Sequence, residues 1–271
     1  MKLKIILIIS LLFFTFTLQA QNSKIKEITP FFIGQTLHFY SDILQEDRSL
    51  NIYLPQSYQP DSLTQYPIIY LLDGSADEDF VHIAGLVQFG SFPWIEMLPE
   101  SIVVGIANVD RRRDFTYPTR NEKDKRDFPT TGGSAKFMEF LEKEVQPLIN
   151  KQYPGNGSST IIGQSLGGLL ATEVLWKKPD LFDHYIIISP SLWWDDESLL
   201  HEKRQTYSSP KSIYIAVGKE GDIMERTAKE LAEKVPQEET EVFFDFFGDQ
   251  DHGNILHLAV YKAFEQIFGK K

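Results

Sequence analysis

Short apolar blocks alternate along the chain with polar, helically spaced stretches, and the period of each block predicts its element. Two segments near the start, 36–40 (Thr-Leu-His-Phe-Tyr) and 50–54 (Leu-Asn-Ile-Tyr-Leu), alternate apolar and polar with period 2. Each predicts a strand with one covered face, and the charged residues 45–48 between them predict the turn of an antiparallel pair at a sheet edge. Farther on, the pattern changes to unbroken apolar runs at 68–72, 102–106, 161–162, 185–188 and 213–217, closed by 242–247. Such runs fit strands buried on both faces, as in a parallel sheet. Helical spacing over 79–90, 134–150, 166–177, 225–235 and 254–268 separates them. The alternation predicts an α/β architecture, with a mostly parallel central sheet, helices on both faces and an antiparallel N-terminal edge.

One junction carries chemistry as well as pattern. Residues 159–168 read Ser-Thr-Ile-Ile-Gly-Gln-Ser-Leu-Gly-Gly, a β-branched strand running through Gly-x-Ser-x-Gly into a helix. A serine on so sharp a turn needs neighbours without Cβ atoms, which Gly163 and Gly167 supply. Ser165 is therefore the candidate nucleophile. The helix starts at the turn, so the free N–H of Leu166 and the positive helix end face the place where a tetrahedral oxyanion forms. Leu166 is a candidate oxyanion donor.

Ligands of such sheets sit at the carboxyl ends of the strands, so partners of the serine belong in the other loops at that end. After the run 68–72 comes Asp73-Gly74-Ser75, where the N–H of Ser75 is a second candidate oxyanion donor and Asp73 a brace. The insertion 108–133 opens with Arg111-Arg112-Arg113 and carries seven basic and five acidic residues, a local +2. Guanidinium groups suit oxygen-rich anions and stack on aromatic rings, which makes Arg111 and Arg113 candidate substrate-binding residues. After 185–188 comes Ser189-Pro190-Ser191-Leu192-Trp193-Trp194, with Trp193 and Trp194 as a candidate aromatic platform. After the last strand stands His252, the candidate base. Between serine and histidine the loop 218–222 offers two acids, Glu220 and Asp222. Glu220, closer to the strand end and between Gly218 and Gly221, is preferred, while Asp222 also suits the cap of the following helix.

Composition narrows the classes. Residues 1–20 carry Lys2 and Lys4, an apolar run over 5–18 and then Gln-Ala, the pattern of a secretory signal peptide. The run is shorter than the roughly 20 residues that span a bilayer. This leaves 21–271 as a single α/β domain, exported to the periplasm or secreted. Without the two leader lysines, 25 basic residues face 38 acidic ones for a net charge of −13, which disfavours nucleic acid as a partner. The chain has no cysteine, so disulfides and thiolate metal sites are excluded.

With these residues identified, the chain resembles the putative-esterase family of α/β-hydrolases, which includes siderophore esterases, feruloyl esterases and S-formylglutathione hydrolase. The resemblance rests on Gly-Gln-Ser165-Leu-Gly-Gly, Leu-Leu-Asp-Gly, Arg-Arg-Asp-Phe-Thr, Ser-Pro-Ser-Leu-Trp-Trp and Asp-His252-Gly-Asn, and spans nearly all of 21–271. The Arg and Ser-Pro-Ser-Leu-Trp segments look most like the enterochelin and siderophore esterase branch. It implies Ser165 as nucleophile and His252 as base, and leaves the acid to this chain's own residues. The expected activity is hydrolysis of a small-molecule carboxylic ester through an acyl-enzyme, without cofactor or metal. A catecholate siderophore ester is the leading substrate class. A feruloyl or acetyl polysaccharide esterase, an acyltransferase and a binding protein on a retired hydrolase scaffold are the alternatives.

Overall fold

Eight strands form one sheet in the computed structural model, which describes residues 25–209, 211–236 and 240–269. The leader-like residues 1–20 lie outside the described residues, and residues 33–271 group as one unit. The strands are β1 (Gln35–Ser41), β2 (Glu46–Tyr53), β3 (Tyr66–Leu71), β4 (Ile102–Ile106), β5 (Gly155–Gln164), β6 (His184–Ile188), β7 (Lys211–Gly218) and β8 (Thr240–Phe247), in the order β1-β2-β4-β3-β5-β6-β7-β8. β1 with β2 and β2 with β4 are antiparallel, and every other neighbouring pair is parallel. β5, which ends at the elbow, therefore lies inside the sheet between β3 and β6.

The two-residue period of a strand sends alternate side chains to opposite faces, and here both faces are covered. Ile68, Tyr70, Ile161, Tyr185, Ile187, Ile213 and Ile215 enter one core, and Ile69, Leu71, Ile162, Ile186, Ile188, Tyr214 and Ala216 enter the other. Helices α1 (Phe80–Gly90) and, at the C-terminus, α6 (Leu256–Phe268) close the second core. The first core is closed by α2 (Ser134–Phe140), α3 (Gln146–Gln152), α4 (Leu166–Lys177) and α5 (Asp222–Lys234). At roughly 25 cal/mol per Å² of apolar surface buried, these two layers supply the main drive to fold.

Some details differ from the sequence expectation. The first hairpin turns over 42–45, and the charged residues 46–48 belong to β2, where Arg48 pairs with Phe39. Asp47 stays exposed, but the charges on either side of it are engaged inside the structure: buried Arg48 donates to Glu46 Oε1 at 2.9 Å, to Asp114 Oδ2 at 2.8 Å and to the Ala107 carbonyl at 3.1 Å. The helix expected over 134–150 widens into a π turn at Leu141–Val145, where Gln146 N–H reaches back to Leu141 O. Pro147 follows at once, and the wider turn accommodates a residue with no N–H to give. The insertion 108–133 holds two short helical turns, Arg111–Asp114 and Glu122–Asp127, capped by the Asp110 and Asn121 side chains. Among the described residues no helix is long and apolar enough to cross a membrane.

Candidate active site

Ser165 stands between β5 and α4 with φ 60° and ψ −120°, a backbone shape that ordinary residues avoid and that tertiary contacts must impose. Its N–H donates to Ile188 O on the neighbouring strand at 3.1 Å, and its carbonyl accepts from Leu169 N at 2.9 Å and Ser191 N at 3.0 Å. The turn closes so tightly that a Cβ on Gly163 would stand 2.3 Å from the Gly167 carbonyl oxygen. A glycine is obligatory there. Leu166 begins α4, so its N–H is one of the free donors at a helix N-terminus, and the residue lines the cleft beside Ser165.

The loops after β7 and β8 bring an acid and an imidazole together. His252 Nδ1 is 2.5 Å from Glu220 Oε2, with the glutamate side chain 3% exposed and the histidine 47% exposed. The other carboxylate oxygen, Oε1, accepts from Ser189 Oγ at 2.5 Å and Gly218 N at 3.0 Å. Burial pushes the Glu220 carboxyl up, but the hydrogen bonds from His252, Ser189 and Gly218 outweigh it and hold the group below the ordinary glutamate range. With Nδ1–H facing the carboxylate, Nε2 is the nitrogen left to accept a proton. The His252 carbonyl accepts from Gln164 Nε2 at 2.6 Å, which ties the histidine loop to the residue before Ser165. The Ser165 hydroxyl itself rests against Ser191 Oγ at 3.3 Å.

Of the two acids in the β7 loop, Glu220 is the one beside the imidazole. Asp222 is the first residue of α5, after Gly221 at the cap position, so it does not cap the helix; Glu225 Oε1 accepts from Glu220 N and Gly221 N just ahead of the helix, each at 3.0 Å.

A cleft of about 580 Å³ opens over Ser165, walled by Val109, Arg111, Arg112, Phe128, Ser191 and Trp193 among others. Arg111 donates Nε and Nη2 to Asp73 at 2.5 and 2.9 Å, and Nη2 also approaches Gln164 O at 3.3 Å. Asn108 Nδ2 braces the same carboxylate at 2.7 Å. Next to this pair, burial and the charges of Asp73 and Glu78 push Asp79 up to about 6. Arg112 lies over the Phe128 ring at 5.2 Å, and Phe128 lies 5.9 Å from Trp193, so a cation and two rings share one wall.

Three expected contacts are not made. Arg113 is held away from the cleft by Glu46 at 2.6 Å and Asp114 at 2.7 Å. Trp194 is fully buried, its indole N–H donating to Tyr117 O at 3.0 Å, so it supports the platform and forms no part of its surface. Ser75 is absent from the cleft wall, and its N–H is directed to the Glu78 carboxylate at 3.3 Å. Conversely, the sequence points to Arg112 only as a member of the Arg111–Arg113 run, and to Phe128 and Ser191 not at all as cleft residues. Phe128 is distant from Arg112 in the chain and no periodicity links them, whereas Ser191 stands inside the Ser-Pro-Ser-Leu-Trp-Trp motif, where nothing local sets its hydroxyl apart. Among the described residues no group of three or more acidic or histidine side chains is placed to hold a metal ion.

Comparison with known proteins bears on the family and the fold. The sequence model of the Esterase family, described as "Putative esterase", matches residues 41–253. The chain is 30% identical over 244 residues to the ferri-bacillibactin esterase BesA of Bacillus subtilis, covering 80% of this chain and 84% of that protein. An IroE-like serine hydrolase from Shewanella oneidensis superposes with a TM-score of 0.76 at 28% identity, over 87% of this chain and 80% of that one. The BES protein from Bacillus cereus superposes with a TM-score of 0.75 at 25% identity, over 92% of this chain and all of that one (100%).

Proposed function

The chain belongs to the putative-esterase family of α/β-hydrolases, and from that premise we propose that it cleaves carboxylic esters through an acyl-enzyme on Ser165. The observation that carries the reading is an imidazole 2.5 Å from a buried carboxylate, on a loop hydrogen-bonded to the residue next to a strained elbow serine. In this reading substrate entry turns Ser165 Oγ from Ser191 toward His252. The oxygen adds to the ester carbonyl carbon while its proton passes to His252 Nε2. The developing oxyanion meets the Leu166 N–H at the positive end of α4, with the Asp73-braced guanidinium of Arg111 on the same wall. Collapse breaks the bond to the alkoxy oxygen, and the alcohol departs with the proton from His252. Water then adds to the acyl-enzyme, His252 again takes and returns a proton, and the acid leaves with Ser165 restored. Glu220 fixes the Nδ1–H tautomer and offsets the charge of the imidazolium.

The substrate class in this proposal is an anionic or aromatic ester, with a siderophore ester foremost. The Bacillus subtilis relative is named a ferri-bacillibactin esterase. The cleft wall supports the same choice, since Arg112, which makes no ion pair among the described residues, lies with Phe128 and Trp193 beside Ser165 in a chain of net charge −11. An anionic aromatic acyl group gains both a charge partner and ring contacts there. The pattern of residues 1–20 adds export to the proposal, placing the enzyme in the periplasm or outside the cell. Charge-assisted contacts are worth about 1.5–3 kcal/mol, so Arg112→Ala is expected to raise KM roughly 10-fold or more for a catecholate ester. Short neutral esters are expected to show no comparable change. Equal effects on both substrates, or none on either, would turn the reading to a neutral acyl ester of the feruloyl or acetyl type.

A further inference from the structure

The turn after β6 touches the candidate catalytic groups twice. Ser191 contacts Ser165, as described, whereas Ser189 contacts Glu220. It is fully buried, its N–H donates to Ala216 O at 2.7 Å, and its hydroxyl donates to Glu220 Oε1 at 2.5 Å. The same oxygen accepts from Gly218 N at 3.0 Å, while Oε2 is left for His252. We propose that Ser189 is a positioning residue: its hydroxyl fixes the rotation of the Glu220 carboxylate so that one oxygen faces His252 Nδ1. The inference rests on the esterase reading for its catalytic consequence, but the contact it describes stands independently.

Two observations favour this role over a merely structural one. The backbone of Ser189 has φ 43°, in the left-handed region where glycine sits without strain. Its conformation therefore argues against a side chain, and the hydroxyl is what a serine adds. The environment of Glu220 points the same way. The groups that meet its carboxylate are His252 from the β8 loop, Ser189 from the β6 turn and the Gly218 N–H from β7, while Glu225 of α5 engages only the Glu220 backbone. A Cβ on Gly218 would come within 3.0 Å of Glu220 Oε1 and 2.7 Å of Gln250 O, so the cradle cannot rearrange to bring in another side chain from that residue. Loss of the Ser189 hydroxyl thus leaves Oε1 with one donor.

The test uses Ser189→Ala and Ser189→Gly in the full chain. The glycine variant suits the left-handed backbone and guards against a folding failure. Removing one charge-assisted hydrogen bond is expected to lower kcat roughly 10-fold on a chromogenic ester with KM unchanged. The Glu220 carboxyl, followed by ¹³C NMR and assigned with Glu220→Gln, is expected to titrate about one unit higher in both variants. Failure of Ser165→Ala to abolish turnover would overturn the esterase reading and leave the NMR comparison to decide the role of Ser189. An unchanged Glu220 titration in folded Ser189→Gly would overturn the proposal whatever the activity.

Discussion

Glu220 and Asp222 lie two residues apart in the loop after β7, and their surroundings separate them. Glu220 is buried and hydrogen-bonded at both oxygens, whereas Asp222 is exposed at the start of α5. Replacing Glu220 by glutamine removes the charge that selects the Nδ1–H tautomer, and the expected loss in kcat is on the order of 10⁴. Asp222→Asn is expected to stay within about twofold of wild type, since Asp222 is exposed and not at the cap position, and surface changes have small effects. The reverse result in a steady-state assay would reassign the acid. The pH dependence follows from the lowered carboxyl of Glu220. Because its folded value lies below the unfolded one, its contribution to stability is fully present above the ordinary glutamate range and is lost as pH falls through the lowered value. Urea titrations of wild type and Glu220→Gln should therefore converge at acidic pH and diverge toward neutrality. The place of Glu220 near the strand end was readable from the sequence. Its partner Ser189 was not, because a donor from another loop leaves no local signal.

Among the elements, the four-residue turn Arg111–Asp114 decides which arginines face the cleft. Successive residues of a helical turn point about 100° apart, so Arg111 and Arg112 reach the cleft while Arg113 and Asp114 turn back toward β2. Asp114 anchors that back side: it is buried and pairs with Arg48 at 2.8 Å, whose guanidinium lies 5.4 and 5.3 Å from the Phe137 and Phe140 ring centres. Asp114→Asn leaves the Arg48 charge buried without its main partner. The expected cost is about 3–5 kcal/mol, read as a lower urea midpoint at unchanged slope. A change below about 1 kcal/mol would mean that Glu46 suffices to hold Arg48. The sequence showed a basic cluster in an acidic chain but not this sidedness, which needs the turn to be known. The same holds for the tryptophans, of which Trp193 lines the cleft and Trp194 lies beneath it.

At the scale of the whole molecule, a mostly parallel sheet collects the loops after β3, β4, β5, β6, β7 and β8 at one end, and the candidate residues come from all but the first of these, with Asp73 of the β3 loop bracing Arg111. Strands buried on both faces were legible because burial demands unbroken apolar runs. The first half of β5, Gly155 to Ser159, carries no such run: it is polar and takes its strand form from pairing with β3. The serine and histidine were legible from motif and strand order, whereas the cleft wall, assembled from loops distant in sequence, was not. The central claim is that Ser165 is the nucleophile, and the most direct measurement is peptide mass mapping after treatment with a fluorophosphonate. The account predicts one adduct, on Ser165, lost in Ser165→Ala and strongly slowed when His252 is replaced by alanine. No adduct on folded wild type, or an adduct on Ser191 instead, would contradict it.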